Sequence, residues 1–166
     1  TRLVSDWSSD VCSSDLLYLP CHLERGERHI AEHENPSPPR ALKGERVLVV
    51  EGEVAVRTLV IDELRELGYA TLEAGDGEAA LIVLQGQERI DLLVSDVVLP
   101  GLDGQQLADT ARQHRPDLSV LFMTGYASSA EMCAGFLDQG MDMLIKPFSI
   151  DELALKVRKM IERARP

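Results

Sequence analysis

Five short apolar runs alternate with stretches in which apolar residues recur every three or four positions, and the two periods predict strands and helices in turn. A strand over 46–51 leads into a helix with Val56, Leu59, Val60, Leu64 and Leu67 on one face, closed by Gly68. A short strand over 69–73 follows, then a helix after Gly77 carrying Ala80, Leu81 and Leu84. A strand over 91–95 precedes a helix near 104–114, and a strand over 119–123 precedes a helix near 128–138. The last strand, 142–145, precedes a helix over 150–163 that turns Ile150, Leu153, Val157 and Ile161 inward. Repeated strand–helix units with short connections predict an α/β fold, a parallel sheet covered on both faces. Right-handed crossovers make a doubly wound, five-stranded sheet with five helices the economical topology.

The strand ends carry the candidate chemistry. Val47-Leu48-Val49-Val50 ends on Glu51, and Leu92-Leu93-Val94-Ser95 ends on Asp96 before a Pro100-Gly101 turn. Val120-Leu121-Phe122-Met123 ends on Thr124, and Met143-Leu144-Ile145 ends on Lys146-Pro147. In open α/β sheets the carboxyl edge is where ligands bind. Two acids, a hydroxyl and an ammonium converging there suit a phosphoryl group held by a divalent cation.

Charge and composition narrow the reading. The net charge of −11 disfavours a nucleic-acid surface, which needs a basic patch. No run approaches a membrane span, so no membrane contact is expected. Cys12, Cys21 and Cys133 form no pairing or metal pattern, which points to a reduced, cytoplasmic setting. Residues 21–45 are polar, contain Pro36, Pro38 and Pro39, and read as a flexible linker. His29 and His33 have a helical metal-ligand spacing, but in such a segment a solvated linker is the simpler reading. Asp6-Trp7-Ser8-Ser9-Asp10-Val11-Cys12-Ser13-Ser14-Asp15-Leu16 resembles one translated frame of a common short-read sequencing adapter, and Thr1–Ser5 continue that frame. Residues 1–16 are therefore set aside as an adapter artefact expected to be disordered.

Val47–Glu53, Ser95–Gly104, Thr124-Gly125-Tyr126-Ala127 and Lys146-Pro147-Phe148, in this order and spacing, resemble the receiver domain of response regulators in two-component signalling. The resemblance covers about residues 45–163, and the domain is drawn at 46–163. Pro116–Ala127 is similar to receivers attached to hybrid sensor histidine kinases, and Leu17-Tyr18-Leu19-Pro20 resembles the last strand of a kinase ATP-binding domain. Residues 17–45 are then a linker with a possible remnant of that domain, and the chain is expected to be a C-terminal fragment of a hybrid kinase. The resemblance implies a flavodoxin-like sheet of order 2-1-3-4-5. It implies that Asp96 accepts a phosphoryl group from a phosphohistidine, with Mg²⁺ required. Glu51, Asp96 and the backbone carbonyl of Val98 would surround the metal; Thr124 would bond a phosphoryl oxygen; Lys146 would offset its charge. Pro147 would follow a cis peptide. Phe148 is expected to pack, and Asp103 to cap the third helix.

Two positions depart from the family. Where a second acid is usual after the first strand, the triplet reads Glu51-Gly52-Glu53, and the expected metal-contacting acid is Gly52. Weakened Mg²⁺ binding and slow phosphorylation are expected. Three residues before Lys146, where an aromatic switch residue is common, stands Met143, with no ring or hydroxyl to couple to Thr124. Tyr126, close after Thr124, is an aromatic that could contribute instead. The expected partners are a histidine kinase core or a His-containing phosphotransfer protein. With no effector after Pro166 in this sequence, a relay role is expected over transcription control, and no enzyme activity of its own. The alternative is a degenerate receiver that docks partners without phosphate. A phosphatase with an Asp nucleophile would want a second Asp at Val98, and a nucleotide binder would want glycines rather than acids after the first strand.

Overall fold

β1 (Arg46–Val50) is the centre from which the chain winds both ways. It is followed by α1 (Val54–Glu66), β2 (Ala70–Ala74), α2 (Gly77–Gln85), β3 (Leu92–Asp96), α3 (Gly104–His114), β4 (Ser119–Thr124), β5 (Met141–Ile145) and α4 (Ile150–Arg163). The computed structural model describes residues 38–42, 44–125 and 137–164. All pairings are parallel, in the order β2-β1-β3-β4-β5. β1 therefore has β2 on one side and β3 on the other, and the winding reverses there, which opens a crevice at the carboxyl ends of β1 and β3.

Strand alternation divides the core. Val47 and Val49 of β1, Leu92 and Val94 of β3, and Leu121 and Met123 of β4 face α1 and α4. Leu48, Val50, Leu93, Val120 and Phe122 face α2 and α3. β1, β3 and β4 are buried on both faces, which is why they read as continuous apolar runs. Helix starts follow local chemistry. Asp76 caps α2 by accepting from the Ala79 amide (2.7 Å), and Asp103 caps α3 by accepting from the Gln106 amide (2.8 Å), as predicted. Ser149 and Glu152 form a reciprocal capping box at α4.

The structure corrects four sequence expectations. Four helices lie among the described residues rather than five; the helix predicted near 128–138 falls outside them except for Leu137 and Asp138, which are not helical. Leu59 is 59% exposed, because the buried stripe of α1 runs through Val60, Ile61 and Leu64 and leaves Leu59 to one side. Ile150, expected to turn inward, is the first residue of α4 and is about half exposed. Glu45, assigned to the linker by its charge, is buried at 1% exposure, with its carboxylate paired to Arg158 of α4 at 2.7 and 3.0 Å. The Ala41 amide also donates to the Leu67 carbonyl (2.8 Å), so the fold begins before β1.

Candidate functional site

All four polar strand ends lie along one edge of the sheet. Val50 pairs with Ser95, so Glu51 and Asp96 stand level on neighbouring strands. Asp96 pairs with Met123, which puts Thr124 one step beyond it on β4, and Thr124 pairs with Ile145, the residue before Lys146. Lys146 is thus two strands from Asp96, and only a long side chain can reach back across the end of β4. It does so: Nζ donates to Glu51 Oε2 at 2.6 Å and to Asp96 Oδ2 at 2.9 Å. The Glu51 side chain is 4% exposed, Asp96 16% and Lys146 22%. This is a part-buried carboxylate–ammonium–carboxylate cluster in which Asp96 is more exposed than Glu51.

Each group is held by its surroundings. Glu51 Oε1 accepts from the Glu53 amide (3.1 Å), and the Glu51 carbonyl accepts from Arg57 of α1 (2.6 Å). Asp96 Oδ1 accepts from the Val98 amide (3.2 Å), while Ser95 Oγ donates to the Asp96 carbonyl (2.9 Å). Thr124 is buried, and its carbonyl accepts from the Lys146 amide (2.7 Å). Burial alone would lower the Lys146 pKa, but hydrogen bonds and attraction from Glu51 and Asp96 outweigh it and hold the ammonium above its usual range. The Lys146–Pro147 peptide is cis, and Phe148 packs against the core.

The donor set suits a hard divalent cation. Two carboxylates that share one ammonium must converge, and Val98 lies two residues beyond Asp96 in the loop that follows β3. Mg²⁺ takes few protein oxygens and keeps several waters, and the carboxylates of Glu51 and Asp96 are oxygen donors of the kind it takes. Gly52 contributes no oxygen from its side chain. A Cβ there would meet Pro100 Cδ at 3.5 Å and the Gly75 carbonyl at 3.7 Å, which are ordinary contacts. Packing therefore leaves room for a side chain at this position.

A profile of the response regulator receiver domain matches residues 47–158. The chain belongs to this family. It is 40% identical over 119 residues to the sensor kinase CckA of Brucella abortus (strain 2308), spanning 70% of this chain and 12% of the kinase. It is 38% identical over 122 residues to the response regulator MprA of Mycobacterium avium (strain 104), spanning 73% of this chain and 53% of MprA. The chain thus spans about half or less of these relatives. Among solved structures, the receiver domain of the hybrid histidine kinase CckA matches with a TM-score of 0.59 at 40% identity, over 70% of this chain and 98% of that one. A CheY-like receiver from Methanospirillum hungatei JF-1 matches with a TM-score of 0.66 at 26% identity, over 72% and 95%.

Receiver membership accords with the fold, and the structure brings together Glu51, Asp96 and Lys146 of the predicted set. Thr124 lies on the neighbouring strand end. Met143 of β5 is half-buried and offers no ring. Tyr126, Cys133, His29, His33 and residues 17–20 lie outside the described residues. Two residues carry no role in the sequence pattern: Arg57, which braces the Glu51 carbonyl, and Gly77, where a Cβ would lie 2.8 Å from the Leu102 carbonyl oxygen. Arg57 had a readable signal, a lone cation on the first turn of α1; Gly77 had none beyond its place at a helix start.

Proposed function

We propose that this receiver domain takes a phosphoryl group from a phosphohistidine onto Asp96, in a Mg²⁺-dependent step of a phosphorelay. The observation that carries the reading is the shared ammonium: Lys146 bonds both Glu51 and Asp96 at a sheet edge where ligands bind. An Asp96 carboxylate oxygen forms the new bond to phosphorus as the bond from phosphorus to the donor imidazole nitrogen breaks, and the imidazole leaves. In phosphoryl transfer, positioning and charge neutralisation do most of the work. Lys146 offsets charge on the phosphoryl oxygens, and the Thr124 hydroxyl bonds one of them. Glu51, Asp96 and the Val98 carbonyl would hold Mg²⁺, which supplies further positive charge to the transferring group.

Similarity to the CckA receiver supports a place within a hybrid histidine kinase, with a kinase core or a His-containing phosphotransfer protein as partner. The reading includes a cytoplasmic setting and no catalytic activity on other molecules. Among the described residues, no helix is long and apolar enough to cross a membrane. Gly52 favours one second reading, a receiver that docks its partners without efficient phosphorylation.

The experiment is labelling of the chain by a small acyl phosphate with and without Mg²⁺, beside Asp96→Asn. Labelling that needs Mg²⁺ and vanishes in Asp96→Asn is the expected result. No labelling of the native chain, with labelling regained in Gly52→Asp, would establish the docking reading instead.

A further inference from the structure

The loop from Val97 to Asp103 carries the Val98 carbonyl, and two buried glycines press on it from different helices. At its base, the Gly104 amide donates to the Val97 carbonyl (3.0 Å), and a Cβ on Gly104 would lie 2.2 Å from the Asp96 carbonyl oxygen. α3 therefore starts directly on the peptide of the candidate acceptor. At the far arm, a Cβ on Gly77 would lie 2.8 Å from the Leu102 carbonyl oxygen, 2.9 Å from Leu102 Cβ and 3.2 Å from Leu102 Cδ2. Gly77 is the first residue of α2 and does not have a positive φ. Space, not backbone conformation, excludes a side chain there. Between the two supports, Leu99 is buried and Leu102 packs against the α2–α3 core. Gly101 turns the loop at φ +77°.

We propose that Gly77 is a positioning residue for the candidate site: by letting Leu102 rest on the first turn of α2, it sets the loop that holds the Val98 carbonyl beside Asp96. The inference rests on the receiver reading of Asp96 and Val98. A methyl at position 77 displaces Leu102 or α2 by about half an ångström to reach ordinary contact. The loop is short and tied at Asp96 and Gly104, so a shift at Leu102 is passed along it rather than absorbed. Mg²⁺ tolerates poor octahedral geometry badly, and a displaced carbonyl weakens its binding. Gly104→Ala is a poorer probe, because its methyl would strike the Asp96 backbone itself.

The test compares the full chain with Gly77→Ala, Leu102→Ala and Gly86→Ala. The readouts are the Mg²⁺ concentration that half-saturates the Val97 and Val98 amide shifts in NMR, the same quantity for phosphorylation by an acyl phosphate, and thermal unfolding. Gly77→Ala is expected to raise half-saturation roughly tenfold, by analogy with the cost of small misplacements in assembled sites. Leu102→Ala loosens the same contact from the loop side and raises it by less. Gly86→Ala crowds the other end of α2, where a Cβ would lie 3.1 Å from the Val83 carbonyl, and lowers stability without moving half-saturation. Unchanged half-saturation in folded Gly77→Ala overturns the proposal. If Gly77→Ala does not fold, unchanged half-saturation in Leu102→Ala overturns it. A native chain that takes neither Mg²⁺ nor phosphoryl has failed the receiver reading first, and the positioning role falls with it.

Discussion

Lys146 and Glu51 are 95 residues apart in sequence, yet Nζ meets Oε2 at 2.6 Å across the ends of two strands that do not touch. The lysine spans β4 and β3 to do this, and bonds Asp96 on the way. Its single positive charge offsets part of the repulsion between two carboxylates in a part-buried setting.

Lys146→Met therefore has two expected effects. Folding stability falls by about 1–3 kcal/mol, because two partly desolvated carboxylates lose their counter-charge. Millimolar Mg²⁺ returns part of that loss, since a divalent cation serves the same carboxylates. Acyl-phosphate labelling falls by about a hundredfold, the scale on which loss of one charge-stabilising donor is felt. Thermal unfolding with and without Mg²⁺ checks the first effect. Because the folded Lys146 pKa is raised, its stabilisation is complete below the unfolded value, about 10.4, and is lost only as pH rises through the folded value.

Gly52→Asp is expected to tighten Mg²⁺ binding by about tenfold, a single added anionic ligand contributing on the order of 1.4 kcal/mol. The nearest atoms to a Cβ at this position are 3.5 Å away or more, so the variant folds. Direct calorimetric titration reads the change. An affinity equal to that of the native chain would mean the carboxylate does not reach the metal.

Asp142 offers an acid-side prediction. Burial raises its pKa, but the hydrogen bond from Lys156 (2.8 Å), the Met143 amide and nearby lysine charge outweigh that and leave it below the ordinary 3.8. A depressed carboxylate stabilises the fold above its unfolded pKa and loses that contribution as pH falls through the lower folded value. Asp142→Asn should thus cost about 0.5–1 kcal/mol at pH 7 and progressively less as pH falls below 3.8, with the difference shrinking in high salt. Urea unfolding across a series of acidic pH values and at pH 7, in low and high salt, measures it.

The buried pair at the opposite edge of the sheet is more consequential. Arg158→Met removes the counter-charge of the Glu45 carboxylate, which is almost wholly buried and also accepts from the Leu42 amide at 2.8 Å. The expected loss is about 3–5 kcal/mol. The double variant Glu45→Leu/Arg158→Met should recover much of it, since two apolar groups leave no buried charge. A double-mutant cycle by chemical denaturation would show a large coupling. Additive losses would mean the two side chains act separately.

The sequence by itself determined the class of fold and which polar residues close its strands. Strand and helix periods differ, 2.0 against 3.6, and apolar runs buried on both faces are hard to mistake for surface strands. Polar residues closing those runs must fall at the carboxyl edge of a parallel sheet, so Glu51, Asp96, Thr124 and Lys146 were legible before any coordinates. Tertiary structure decided what periodicity does not encode. Whether Leu59 and Ile150 are covered depends on where a neighbouring layer ends. Glu45 looked like linker because charge suggests solvent, and the approach of Arg158 from the far end of the chain supplies the counter-charge for its burial. The pairing of Lys146 with Glu51, and the contact of Gly77 with Leu102, join residues whose spacing carries no signal. Such contacts arise from the sheet order and the close approach of backbones, which are properties of the assembled fold.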